Sequence, residues 1–218
     1  MSNPEHLKER LAEAARYALL RRLAPALRHN MAGALQPISM MAAMLEKRLQ
    51  KPDPDMVVLG KNSAALNTLS REASLSCMSL MAWLAPRDNE PVALDACLAD
   101  AVGLVVTELS FRGLTLVNDT AGVQVEVPRS VVRNVFMATL IALTDLAAAP
   151  ANVLLRAEQT ADEVLVSIVL VPTQGETMPG AMTTYRDLHW DDVQALADTE
   201  AVSLAHTDLR AELRYRLA

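Results

Sequence analysis

The residue in this chain best suited to nucleophilic chemistry is His29, within Leu27 to Ile38, which reads LRHNMAGALQPI. An imidazole can carry a lone pair at neutral pH, so it can take up and hand on an electrophilic group if it faces solvent. At about 100° per residue, Leu20, Leu23, Leu27, Met31, Ala34, Ile38, Met41, Leu45 and Leu49 fall on one apolar stripe. His29 falls nearly opposite, on the side of Arg22, Gln36 and Lys47, and is expected to face water. Its neighbours Ala32 and Gly33 leave the approach open. A helical glycine costs about 1 kcal/mol against alanine, and Pro37 removes a backbone hydrogen bond. An idle face would need neither.

The other chemical side chains lack a constellation. Asp191 and Asp192 together at a helix start complement the helix dipole. His189 and His206 lack ligand spacing and read as surface or strand residues. Cys77 and Cys97 are the only cysteines, too few and too far apart for a disulfide framework or a metal box. Both read as small apolar residues in a reducing compartment.

The elements that must position His29 follow from composition. Of 218 residues, 51% are hydrophobic and only 3% aromatic, so the core must be built from Leu, Val, Ala and Met. The net charge of −6 argues against a nucleic-acid or anionic-membrane surface, which would need a basic field. Lys8, Arg10, Arg16, Arg21, Arg22 and Arg28 alternate with alanines and acids and read as a solvated helix face. The start, MSNPEHLKER, has no signal-peptide core, and no apolar run is long enough to span a bilayer. The expectation is a cytoplasmic protein.

Asn3 and Pro4 open a helix expected to run to about Gln50, with bends at Pro25 and Pro37. KPDPD, Lys51 to Asp55, breaks it. A second helix is expected from Met56 to Ala85, giving an antiparallel hairpin. A lone hairpin leaves its apolar stripes open, so two copies are expected to pair as a four-helix bundle. PRDNEP, Pro86 to Pro91, is a linker. Beyond it, helix is expected at Leu94–Ser110, Ser130–Ala148 and Trp190–Ala197. Strands are expected at Leu114–Asn118, Val123–Val127, Asn152–Glu158, Glu163–Val171, Ala201–Ala205 and Ala211–Leu217. The fold class is α+β: a helical hairpin domain over residues 1–86, then an α/β sandwich over residues 91–218.

The stretch around His29 resembles the phosphoacceptor box of the sensor histidine kinases, with Met31, Leu35 and Ile38 at the box's aliphatic positions. Asn30 and Ala34 depart from it, standing where the family usually has an acid and a proline. The second domain resembles the ATP-binding domain of that family through PVALDACLADAVGLVVTELSFRGLTLVND, with Arg112, Gly113 and Leu114 at its Arg-Gly-aliphatic turn. Aligned on Val135, Phe136 and Met137, the family's two asparagine positions become Ala138 and Ala142. The family's Asp-x-Gly-x-Gly run is replaced by VPTQGETMPG, which keeps Gly175 and Gly180 but has no aspartate and is stiffened by Pro172 and Pro179. Its glycine-rich lid is replaced by TYRDLHWDDVQALAD. Magnesium wants oxygen ligands, and a methyl group supplies none. The resemblance therefore implies a degenerate domain holding neither ATP nor metal. Asn30 agrees, since an amide cannot serve as the base for attack on ATP.

Two readings follow. In the first, His29 is the catalytic residue of a histidine phosphotransferase in a phosphorelay. It takes phosphoryl from the aspartyl phosphate of one response-regulator receiver domain and passes it to another. Arg22, Asn30, Gly33, Gln36, Met40 and Met44 form the partner-docking face. In the second, the chain is a non-catalytic dimeric adaptor of the same ancestry, binding a receiver domain or a sensor kinase.

Overall fold

The computed structural model describes residues 4–83, 90–147, 150–175 and 185–217. The chain is α+β, with long N-terminal helices followed by a mixed sheet. It divides into two compact units, Pro25–Pro86 and a second formed by Met1–Ala24 with Arg87–Ala218.

The first element, α1 (Pro4–Leu49), passes through Pro25 and Pro37 as one helix. In the Pro25–Pro86 unit it turns Leu27, Met31, Ala34, Ile38, Met41 and Leu45 inward at spacings of four and three, while Leu49 is exposed at the helix end. The expected second helix, α2 (Met56–Met81), stops short of Ala85. Its inward residues include Leu59, Leu66, Leu69, Ala73 and Leu80. The break between the helices ends on Asp55, whose carboxylate accepts from the backbone N–H of Val57 at 2.9 Å and Val58 at 3.1 Å. That cap satisfies two of the donors that every helix start leaves open.

The other unit begins with the first half of α1, where Ala12, Ala15, Ala18, Leu19 and Leu23 are buried. This corrects the expected boundary: the first 24 residues cluster with the α/β part of the chain, not with the hairpin. The period-3.6 stripe is the same in both halves of α1, so periodicity alone could not say what each half packs on.

Helix α3 (Leu94–Phe111) ends at Arg112 and Gly113, whose φ of 75° is the left-handed conformation that favours glycine. Strand β1 (Pro91–Ala93) pairs antiparallel with β3 (Glu126–Pro128) as a separate two-stranded sheet, so the expected Val123–Val127 strand is shorter and lies outside the main sheet. The five-stranded sheet runs β2 (Leu114–Asp119), β4 (Ala151–Gln159), β5 (Glu163–Pro172), β7 (Arg210–Arg216) and β6 (Val202–His206). β2 is parallel to β4, and the other pairings are antiparallel.

Alternation decides the layers. Val153 and Leu155, Val164, Val166, Ile168 and Leu170, and Ala211 and Leu213 point to one buried face. The helices cover that face. The expected helix over Ser130–Ala148 begins as a π-helical turn, Val131–Phe136, and continues as α4 (Met137–Asp145). Every side chain from Met137 to Thr144 is buried. Helix α5 (Trp190–Thr199) completes the layer with Val193, Leu196 and Ala197 buried.

Candidate functional site

His29 lies on the exposed face of α1 in the hairpin unit, and no hydrogen bond or ion pair among the described residues holds its imidazole. Gly33, one turn on, has nothing within 4 Å of the place a Cβ would take. Gln36, Met40 and Met44 continue the same exposed side, Met40 being 67% exposed. His29, Gly33, Gln36, Met40 and Met44 recur at intervals of four, three, four and four, so they form one strip along the helix. Asn30 is half-buried, rotated toward the inward stripe. The face offers an imidazole beside the open space at Gly33, followed by two exposed methionines.

Arg22 corrects the expected site. Although its backbone shares the angular position of Gln36, its side chain is only 9% exposed and is taken up elsewhere. Its Nε and Nη2 donate to Asp145 at 3.1 and 3.0 Å, and its Nη1 to Glu108 at 3.0 Å. Arg112 completes the cluster, donating from Nη1 to Asp145 at 2.8 Å and from Nη2 to the Thr144 carbonyl at 2.6 Å. Burial disfavours the Arg22 cation, but the hydrogen bonds and charges of Glu108 and Asp145 outweigh it and raise the pKa. Arg22 is therefore not available to flank His29. Arg16 likewise sits 3.7 Å from Glu200, so the basic run of α1 is not a uniformly solvated face. Sequence gave no signal for these pairs, because Glu108, Asp145 and Glu200 lie far along the chain.

The resemblance of the second domain points to Ala138 and Ala142 and to the carboxylates of Asp145, Asp191 and Asp192. Ala138 and Ala142 are fully buried. Asp145, the nearest carboxylate along that helix, is bound by two arginines. Asp192 is also engaged: it accepts from the His189 backbone N–H at 3.0 Å in a capping box and pairs with Arg186. Burial pushes the Asp192 carboxyl up, yet the Arg186 hydrogen bonds and the His189 N–H more than offset this and leave its pKa lowered. Asp191 and His189 are exposed, and His206 stacks on Trp190 with ring centroids 3.9 Å apart. Among the described residues no group of three or more His, Cys, Asp or Glu could hold a metal ion.

Gly175 survives for a reason of packing: a Cβ there would sit 2.9 Å from Pro150 Cγ. The rest of the altered glycine run, including Pro179 and Gly180, lies outside the described residues. A cavity between helices and sheet is lined by Leu94, Leu98, Val127, Phe136, Val164 and Tyr215 among others, a largely apolar surround. Cys77 and Cys97 are both free thiols of intermediate burial. No helix among the described residues is long and apolar enough to cross a membrane.

No protein-family profile matches the chain, and no curated protein matches it. Solved structures do. The chain is similar to the nucleotide-free catalytic domain of histidine kinase ThkA at 9% identity and a TM-score of 0.47, covering 58% of this chain and 94% of that one. It is similar to the Acinetobacter baumannii histidine kinase AdeS at 16% identity and a TM-score of 0.44, covering 84% and 96%. The structure of ThkA in complex with the response regulator TrrA matches at 12% identity and a TM-score of 0.44, covering 98% of this chain and 65% of that one.

Proposed function

We propose that this protein is a histidine phosphotransferase of a two-component phosphorelay, working through His29 and without ATP. The observation that carries the reading is the open strip of α1, with an unengaged imidazole beside the empty space at Gly33. The partner is the receiver domain of a response regulator, which brings its own phosphorylated aspartate and magnesium. The lone pair of a His29 ring nitrogen attacks phosphorus, the N–P bond forms, and the P–O bond to the aspartyl carboxylate breaks. The other ring nitrogen keeps its proton. No general base beside the histidine is needed for this attack, which accords with the amide of Asn30. Return of the phosphoryl group to a second receiver reverses the step. What this chain contributes is orientation: a rigid helix that holds the nucleophile where a docked partner meets it.

The hairpin works as a pair. Leu75, Met78 and Met81 of α2 are 69, 68 and 60% exposed. A second copy covering them gives the four-helix bundle that a two-helix layer otherwise lacks.

The test follows acid-labile phosphate from phosphorylated receiver domains onto the wild type and onto His29→Ala. The expected result is transfer to the wild type alone, with the thermal midpoint of the variant unchanged. Equal labelling of both proteins removes His29 from the role. Binding of a receiver with no transfer at any pairing replaces the reading with that of an adaptor.

A further inference from the structure

The first half of α1 meets the α/β unit on a thin apolar seat of three alanine methyls and two leucines: Ala12, Ala15, Ala18, Leu19 and Leu23. Helix α4, by contrast, buries a continuous run of eight side chains. Charged groups stand at two points along the seat. Between Ala15 and Ala18, Arg16 faces Glu200, which also accepts from Ser130 Oγ at 2.6 Å and from Asn134 Nδ2 at 3.4 Å. Beside Leu23, Arg22 binds Glu108 and Asp145.

Asn134, Ala138, Ala142 and Asp145 recur at intervals of four, four and three, which places them along one side of the helix that continues from the π turn. The two end members of that row are tied to α1, Asp145 directly and Asn134 through Glu200. The two members between are fully buried alanines.

We propose that residues 12–23 are a releasable strap. It is latched by ion pairs at two points, Arg16 to Glu200 and Arg22 to Glu108 and Asp145. It lets go before the rest of the unit unfolds. Three features combine to make release local. The apolar seat is small, so little hydrophobic area resists opening. The buried Arg22 pairs add little net stability once desolvation is counted, although breaking one partner is strongly unfavourable, and the half-buried Arg16 pair adds little either. The Arg16 latch is also incompletely satisfied, since Arg16 Nε is buried with no hydrogen-bond partner among the described residues. A segment held in this way belongs to the low-stability end of a structure.

Amide hydrogen exchange on the full chain tests the strap, comparing the wild type with an Arg16→Glu/Arg22→Glu variant that turns both latches repulsive. In the wild type, residues 12–23 are expected to exchange at least roughly tenfold faster than β5, because they open without global unfolding. In the variant their protection is expected to fall by a further factor of about one hundred while β4 and β5 keep theirs. Three results overturn the proposal. Exchange of residues 12–23 at the rate of β5 in the wild type makes them part of the global core. Unchanged protection in the variant means that packing, not the latches, holds the helix. Protection lost throughout the unit, in this variant and in the milder Arg16→Gln/Arg22→Gln, makes the helix integral to the fold.

Discussion

Replacing Asp145 by leucine removes the carboxylate that accepts hydrogen bonds from both Arg22 and Arg112. Each of those side chains is 9% exposed, and Asp145 is 7% exposed. After the change only Glu108 remains to both cations, 31% exposed and 3.8 Å from Arg112. Breaking a buried pair by deleting one partner costs about 3–5 kcal/mol, because a charge is left without compensation. For a chain of this size each 1 kcal/mol shifts the thermal midpoint by roughly 2–4 °C, so the expected drop is on the order of 10 °C. The assay is thermal and urea unfolding followed by Trp190 fluorescence, with Trp83→Phe in both proteins so that one tryptophan reports. A companion variant with Arg22→Met, Asp145→Leu and Arg112→Met removes both cations together with the carboxylate, leaving Glu108 to turn to water. It should recover at least half of the loss, since apolar replacement of a whole buried cluster is often neutral or stabilising. A loss below about 1 kcal/mol in Asp145→Leu would show that water reaches the arginines and that the cluster behaves as a surface network.

Gly33→Ala should stabilise the hairpin unit by about 0.5–1 kcal/mol in urea denaturation, since the site is helical and a methyl there meets nothing within 4 Å. Gly33→Trp should instead block receiver labelling of His29 while leaving the circular dichroism spectrum unchanged. Asp55→Ala removes the α2 cap to Val57 and Val58 and should cost about 1 kcal/mol. Asp192 has a folded pKa below its unfolded one, so its contribution is complete above about pH 4, the ordinary aspartate value, and is lost as pH falls through the lowered folded value. The difference in unfolding free energy between wild type and Asp192→Asn should therefore shrink on acidification below that pH. A difference that stays constant down to pH 2 would refute the assignment.

Much of this molecule was determined by local pattern. Periodicity near 3.6 gave α1 and the inward set of Leu27, Met31, Ala34, Ile38, Met41 and Leu45. Alternation at period two gave the β4–β5 hairpin, and the family resemblance implied the Arg112–Gly113 turn where α3 stops and β2 begins. The exposure of His29 and Gln36 followed from the same angular arithmetic, because a helix face is fixed by residues within a few turns of one another. What the sequence did not decide is what each face meets. Arg22 has the same angular position as the open strip, yet its guanidinium is drawn into a cluster with Glu108, Arg112 and Asp145, partners 86 and 123 residues away for Arg22. The first 24 residues bear the same stripe as the rest of α1, yet they cluster with the α/β unit. The pairing of β1 with β3, apart from the main sheet, and the π turn at Val131–Phe136 were equally silent. Periodicity fixes which side of an element is buried; only the tertiary structure brings distant groups together and so decides which charges are spent inside the fold and which remain to face a partner.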